Sequence, residues 1–361
     1  MKTIQNKDFF YTKLAFQQAE INLGSTKSNP SVGCVIVKDN SVISSGHTSR
    51  NGRPHAEANA LKNNLNYKNS NLYVTLEPCS HYGKTPPCIN TIIKKKIKRV
   101  IFSINDTDLR SKNKAEKIFK NNKIFVSKYI KKNFAKIFYE SYFMQSSNQT
   151  PLIDAKLALS KDYFTVNKNH KWITNTKSRN LGNFLRSKYD CLLTTSKTIN
   201  IDDPLLNCRI EGLEKKSPVI IILDRHLKIK KNVKILKNKK KKIYIFTAAN
   251  NHPKEHFLNK NGIKVVKFHI PNERNFDLKK IFYTIKKLGY NRVFVETGIT
   301  FLNELLRLNL INNLYLFNSS KKLFSRGENN SSLFHIKKVK ISKKNQVQVN
   351  LDGDSLYKVK L

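Results

Sequence analysis

Apolar residues recur along this chain in two alternating periods. Residues 8–22, DFFYTKLAFQQAEIN, place them at helical spacing behind Asp8, a fitting N-cap. SVGCVIVKDNSVISSG (31–46) switches to strand-like runs around a tight turn at Asp39–Asn40. HAEANALKNNL then reads as a helix opening on His55, and NLYVTLEP as a buried strand ending at Pro78. PPCINTIIKKKI is helical, with proline in the first turn, where its missing N–H does no harm. RVIFSI, a short helix at 113–120, KIFVS and a helix at about 130–143 continue the alternation, which predicts a layered α/β domain. Beyond the polar stretch QSSNQTP (145–151), strands are expected at about 152–159, 190–195, 218–223, 243–247, 263–267, 292–296 and 313–317. Helices fall between several of them, and a strand pair is expected at the end.

A chain of 361 residues suits two cores better than one, and the boundary is expected between a domain at 1–147 and one at 148–361. The hydrophobic content of 39% suffices for both cores, and no apolar run approaches the length of a membrane span. The polar start MKTIQNKDFFYTKLAF does not resemble an export signal, so a cytoplasmic protein without membrane association is expected. In that setting five cysteines do not form a disulfide framework; Cys34 and Cys191, in apolar runs, are expected in the core.

The net charge of +43 raises the possibility of a nucleic-acid partner. The lysines are dispersed, without aromatic residues interleaved along a local groove, so no specific nucleic-acid partner is expected. The densest run, 228–243, is expected to be a solvated loop.

PCSHYGKTPPC (78–88) holds two cysteines with eight residues between them. A hydrolytic zinc site needs three N/S ligands and one open position. Cys79 and Cys88 supply two thiolates, and His55 at a helix start supplies a nitrogen. Glu57, two residues on, is placed to move protons without being a ligand. Separately, HAE is a chance motif and the two cysteines fit a loop with buried thiols. In the order helix with HxE, strand, Pro-Cys loop and Cys-led helix, they give the His/Cys/Cys pattern of nucleobase deaminases.

NPSVGCVIVKDN, PHAEANAL and YVTLEPCSHYGKTPPC closely resemble the deaminase half of the bifunctional riboflavin-biosynthesis deaminase/reductase family. The long loop between the cysteines is a mark of that family. The resemblance implies a cytidine-deaminase-like three-layer fold and a pyrimidine ribosyl phosphate as substrate. By position, Asn29, His47, His81 and Lys84 would contact that substrate.

The second half lacks GxGxxG. NRVFVETGITFLNELL (291–306) reads as a strand, a Thr-Gly turn and a helix, whose first turn offers N–H groups to a phosphate; Glu296 ends the strand. In TTSKTINIDDPLLNCR, Asp202 and Asp203 precede proline, where Asp commonly builds a turn. KWITN, LRSKYD, this stretch and VETGITF resemble, in order, the reductase half of the same family. That implies a dihydrofolate-reductase-like fold using NADPH beside the zinc ion of the first half. Trp172, Thr198, Asp202 and the segment Gly298, Ile299, Thr300, Phe301, Leu302, Asn303 and Glu304 would meet the cofactor. Arg186, Leu206, Arg209 and Glu296 would meet the substrate, and a homo-oligomer is expected. The family's SLDG is here SKDY (160–163), its KLLG-like turn is KKLFS (321–325), and His170 stands where serine is common. The resemblance implies deamination of a diaminopyrimidine ribosyl phosphate followed by reduction of its ribosyl chain. The altered segment leaves open a second domain that binds without turnover. The basic charge leaves open an RNA-binding or RNA-editing protein.

Overall fold

The computed structural model describes residues 2–147, 150–238, 241–269 and 276–361. It falls into two compact units, Met1–Asn148 and Gln149–Leu361. The junction at 148 and 149, where the boundary is expected, lies outside the described residues, as do 239 and 240 of the basic run.

The first unit runs α1 (Lys2–Glu20), β1 (Gly33–Lys38), β2 (Ser41–His47), α2 (Ala56–Ala60), β3 (Asn71–Val74), α3 (Cys88–Lys94), β4 (Arg99–Phe102), α4 (Ala115–Asn121), β5 (Phe125–Lys128), α5 (Lys132–Phe138) and α6 (Glu140–Ser147). Its sheet has the order β2-β1-β3-β4-β5, with β1 antiparallel to β2 and β3 and the remaining pairs parallel. Asp39 and Asn40 both take positive φ (48° and 62°), the conformation a two-residue hairpin asks for. Strand alternation divides the core. Cys34, Ile36, Leu72, Val74, Val100 and Phe102 pack with α2, α3 and α4, while Val35, Val37, Tyr73 and Ile101 pack with Tyr11 and Ala15 of α1. The result is three layers.

Several boundaries differ from expectation for physical reasons. Asp8 is not an N-cap, because α1 begins six residues earlier. Its buried carboxylate instead accepts two hydrogen bonds from Arg99 of β4 (3.0 and 2.6 Å) and one from the Tyr73 hydroxyl (2.9 Å). The helix opening on His55 closes at Ala60 rather than continuing through Asn63 and Asn64. The helix expected at 130–143 breaks into α5 and α6 at Tyr139, whose hydroxyl lies 2.5 Å from Thr75 Oγ1 in the core.

The second unit runs β6 (Leu152–Leu159), β7 (Phe164–Asn167), α7 (Thr176–Arg186), β8 (Cys191–Thr195), α8 (Ser196–Asp202), β9 (Val219–Leu223), α9 (Lys234–Lys237), β10 (Ile243–Thr247), α10 (His252–Lys260), β11 (Lys264–Lys267), α11 (Leu278–Lys287), β12 (Arg292–Glu296), α12 (Ile299–Arg307), β13 (Asn313–Asn318), β14 (Gly327–Asn330) and β15 (Ser355–Lys360). The eight-stranded sheet has the order β11-β10-β9-β8-β12-β6-β13-β15 and is parallel except for β15. α11 and α12 cover one face; α8 and α10 pack on the other. The expected terminal strand pair is one strand, β15, with isolated bridges at Gln346–Tyr357 and Leu351–Asp354. The chain leaves β10 and β11 to insert β12 between β8 and β6. In such open sheets ligands bind outside the carboxyl ends of strands near the point where strand order reverses. Glu296 ends β12 there, and Thr195 ends β8.

The unpredicted antiparallel pair β7–β14 follows closely on the altered SKDY and KKLFS segments. Tyr163 takes φ 69° where the family has glycine, a conformation that costs a non-glycine residue about 1–2 kcal/mol. The turn is held from both sides. The Asp162 carboxylate accepts from the backbone N–H of Leu323 (3.0 Å) and Phe324 (2.7 Å), and Lys161 N donates to Lys321 O (2.8 Å). The two departures from the family pattern therefore hydrogen-bond to each other. Gly327 lies against the Phe164 ring, where a Cβ would come within 2.2 Å of it.

Cys34 and Cys191 are fully buried, as their surroundings predict. Among the described residues no helix is long and apolar enough to cross a membrane.

Candidate active sites

In the first unit, three chain segments converge. His55 is the N-cap of α2, Cys79 follows β3, and Cys88 opens α3 behind Pro87. His55 Nδ1 lies 3.6 Å from Cys79 Sγ and 3.4 Å from Cys88 Sγ, and all three donor atoms fall within 4.8 Å of one another. Zinc bonds of about 2.3 Å to sulfur and 2.0–2.1 Å to nitrogen give a tetrahedral N···S edge of about 3.5 Å. The spacing and donor set fit a zinc ion. Among the described residues no other group of three or more His, Cys, Asp and Glu has such spacing, and Asp202 and Asp203 belong to no such group.

Electrostatics favour a cation here. The Cys88 backbone N–H donates to Cys79 Sγ (3.3 Å). Cys79 is pushed down to about 4, chiefly by the hydrogen bond from the Cys88 thiol, whereas donating that bond and burial push Cys88 up. Glu57 is buried in the first turn of α2, and burial, with the nearby Cys79 thiolate, pushes it up to about 7. Close packing of α2 on β2 sets this position: a Cβ on Gly46 would lie 2.5 Å from both Ala56 O and Ala60 N.

Around this centre, Asn29 Nδ2 donates to Gly52 O (2.9 Å), just before the Arg53–Pro54–His55 segment. Gly52 has φ 90°, and a Cβ there would collide with Asn29. His47 ends β2, and its carbonyl accepts from Asn59 of α2 (2.8 Å). His81 Nδ1 lies 2.8 Å from Ser111 Oγ, which also accepts from Ser80 N (3.1 Å). Lys84 is exposed in the same loop. Two residues absent from the sequence reading organise this insert. Arg53 donates to Thr85 Oγ1. Buried Glu77 accepts from the backbone N–H of Asp106, Asn113 and Ala115 (3.0, 3.1 and 3.0 Å), fixing the loop that presents Ser111. A carboxylate beside the first cysteine in LEPC was the available signal.

In the second unit, Arg186 at the end of α7 grips Glu296 at the end of β12 with two hydrogen bonds, Nε–Oε1 2.5 Å and Nη2–Oε2 2.9 Å. Its Nη1 donates to Asn183 Oδ1 and Asn207 O, both at 3.0 Å. Burial would raise Glu296, but the Arg186 charge and hydrogen bonds outweigh it and hold the carboxyl below its ordinary range. Lys156 on β6 lies in the same electrostatic cluster, pushed down by burial though drawn up by Glu296. Its signal was a lysine inside LIDAKLAL, a strand whose other residues, apart from Asp154, are apolar.

Leu206 is buried with φ 47°, and Arg209 is exposed in the loop that follows. Asn207 Oδ1 and Thr297 Oγ1, adjacent in sequence to Leu206 and Glu296, are buried without a hydrogen-bond partner among the described residues. Such atoms commonly await a ligand or water. Thr198 lies in the first turn of α8, its Oγ1 3.1 Å from Thr195 Oγ1. Exposed Trp172 stands between Lys171 and Arg179, and Lys171 Nζ donates to Asp202 O (2.9 Å), which links Trp172 to the end of α8. Asp203 caps α8 in the left-handed conformation, and its Oδ1 accepts from Lys234 N (2.7 Å), which ties the end of α8 to the start of α9.

Gly298 is the N-cap of α12, with open space where a Cβ would stand. Ile299 and Leu302 face the core and Phe301 packs partly against it. Asn303 Oδ1 accepts from His335 N (2.6 Å), and Glu304 pairs with Arg307. A ligand at this segment would meet the backbone N–H groups of the first turn and exposed Thr300.

Residues 152–340 match the family profile described as RibD C-terminal domain, and residues 5–104 match the cytidine and deoxycytidylate deaminase zinc-binding region. The chain is 32% identical over 321 residues to riboflavin biosynthesis protein RibD of Aquifex aeolicus, covering 88% of both chains. It is 32% identical over 374 residues to the protein of that name from Buchnera aphidicola, covering 96% of this chain and 97% of the other. Among solved structures, it resembles a diaminohydroxyphosphoribosylaminopyrimidine deaminase/5-amino-6-(5-phosphoribosylamino)uracil reductase from Thermotoga maritima, with TM-score 0.81 and 26% identity over 99% of both chains. Acinetobacter baumannii RibD superimposes with TM-score 0.80 at 26% identity over the same share.

Proposed function

The chain belongs to the RibD family of bifunctional riboflavin-biosynthesis enzymes, and on that premise we propose which of its residues carry each step. It is a zinc-dependent deaminase joined to an NADPH-dependent reductase. It acts on 2,5-diamino-6-ribosylamino-4(3H)-pyrimidinone 5′-phosphate and then reduces the ribosyl chain to ribityl.

The observation that carries the deaminase assignment is the His55/Cys79/Cys88 triangle beside a buried carboxyl. Those three residues would hold zinc, which when bound supplies a Lewis acid that makes water a nucleophile near neutral pH. Glu57 takes one proton of the attacking water and delivers it to the ring nitrogen. It then takes the remaining hydroxyl proton and passes it to the amine, so that the C–N bond breaks and ammonia leaves as the C=O bond forms. Water and the amidine carbon thus become a carbonyl and ammonia. Asn29, His47, His81 and Lys84 would hold the pyrimidine and its ribosyl phosphate.

In the second unit, NADPH when bound supplies the hydride. Trp172, Thr198, Asp202 and the first turn of α12, through its N–H groups, would hold the cofactor. Glu296, Leu206, Arg209 and Lys156 would position the substrate. The chain provides orientation rather than a covalent group. Tyr163, which keeps the turn of a missing glycine, supports an intact reductase site rather than a vestigial one.

Cys88→Ser is expected to lower bound zinc to well below one per chain, with deamination falling in proportion, as measured by metal analysis of the purified protein. Full zinc content in that variant would remove Cys88 from the ligand set.

A further inference from the structure

We infer that Lys241, together with Arg209, receives the 5′-phosphate of the reductase's substrate, while Arg186 is committed to holding Glu296. This deepens the reductase reading and rests on it. The resemblance assigns no role to Lys241, and the basic run around it was expected to be a solvated loop. The structure corrects that expectation: the run contains α9, its Ile229, Val233, Ile235 and Leu236 are buried, and Lys241 is drawn inward as well. Lys241 is half-buried just ahead of β10, and its Nζ donates to Leu205 O at 2.5 Å. Two residues on, the carbonyl of Asn207 takes Arg186 Nη1, so the loop leading to Arg209 is fixed from both sides.

The count of donors separates the arginine from the lysine. A guanidinium has five N–H groups. Arg186 uses Nε, both Nη1 donors and one Nη2 donor on Glu296, Asn183 and Asn207. One donor remains, too few to grip a phosphate as a fork. An ammonium has three, and Lys241 uses one on Leu205 O.

The charge balance points the same way. Lys156, Arg186, Arg209 and Lys241 lie close enough to influence one another or Glu296; of the two carboxylates near them, Glu296 is paired with Arg186 and Asp202 acts on Lys156, so neither is paired with Lys241. No ion pair among the described residues includes Lys241 or Arg209. Holding the half-buried Lys241 cation without a counter-charge is costly, and an incoming dianion relieves that cost. Burial and the neighbouring Arg186 and Arg209 push Lys241 down to about 7, which is the signature of a cation held where positive charge is in excess.

The test compares wild type, Lys241→Gln and Lys241→Arg at saturating NADPH. The substrates are 5-amino-6-(5-phosphoribosylamino)uracil and its dephosphorylated counterpart. For Lys241→Gln the KM for the phosphorylated substrate is expected to rise about tenfold to a hundredfold, the range for a hydrogen bond to a charged group. The kcat should stay within roughly twofold, as for loss of an interaction made equally in ground and transition states. Lys241→Arg should recover most of the affinity, and the dephosphorylated substrate should not distinguish wild type from Lys241→Gln. An unchanged KM, or an equal rise for both substrates, would overturn the inference; the second result would make Lys241 only a prop for the loop. Titration calorimetry of the same pairs decides the point without turnover. Binding without reduction in wild type would count against the reductase reading, while the affinities still judge Lys241.

Discussion

Replacing Glu57 by Gln is expected to slow deamination by about 10²- to 10⁴-fold, the usual contribution of a positioned acid/base, while zinc stays bound. The expectation follows from geometry. The three donors that fit zinc are His55, Cys79 and Cys88, and Glu57 stands beside them without belonging to the triangle. Glutamine keeps the shape of the buried side chain and its place in the first turn of α2 but cannot relay a proton. The carboxyl suits the role because burial raises its affinity for a proton, so it can hold the one it takes from water until the ring accepts it. Zinc content and the rate of ammonia release, measured on the same preparation, check this. Substantial turnover by the variant would remove Glu57 from the proton path. Loss of zinc would mean that the residue supports the metal instead.

Arg186→Met should abolish reduction and destabilise the second unit by about 3–5 kcal/mol, the cost of leaving a buried charge without its partner. Glu296 is half-buried at the end of β12, and its two hydrogen bonds come from this one guanidinium. A double variant, Arg186→Met with Glu296→Leu, is expected to regain most of the stability, because a buried ion pair often exchanges for apolar residues at little cost. It should not regain reduction. Denaturant midpoints and NADPH oxidation separate the two effects, and a double variant that reduced substrate would place the chemistry elsewhere. The pair also sets a pH dependence. A carboxyl held below its ordinary range in the folded state contributes stability above its unfolded pKa, and that contribution is lost as pH falls through the lower folded value. Glu296→Gln should therefore flatten the acid limb of the stability profile.

The deaminase centre was legible in the sequence because zinc chemistry demands few residue types in a fixed order of elements. His55, Glu57, Cys79 and Cys88 sit on a helix start, its first turn, a post-strand loop and a second helix start, and the structure gathers the three donors as that order requires. The strands of both sheets were legible for a similar reason: short apolar runs bounded by polar turns. What the sequence concealed was long-range pairing. Asp8 looks like a cap until Arg99, ninety-one positions away, claims its carboxylate. The SKDY and KKLFS segments look like separate losses, yet Asp162 joins them across 161 positions. Lys241 disappears into a lysine-rich run, and its contact with Leu205 O and its burial near Arg186 and Arg209 come to light in the structure.

The measurement that tests the account most directly follows product masses over time in a mixture of purified protein and the diaminopyrimidine ribosyl phosphate, with and without NADPH. The account predicts a deaminated product in both mixtures, and a further gain of two hydrogens only where NADPH is present. Deamination that stops there, with NADPH untouched, would contradict the claim that the second unit, with its Tyr163 turn and Arg186–Glu296 clamp, performs the reduction.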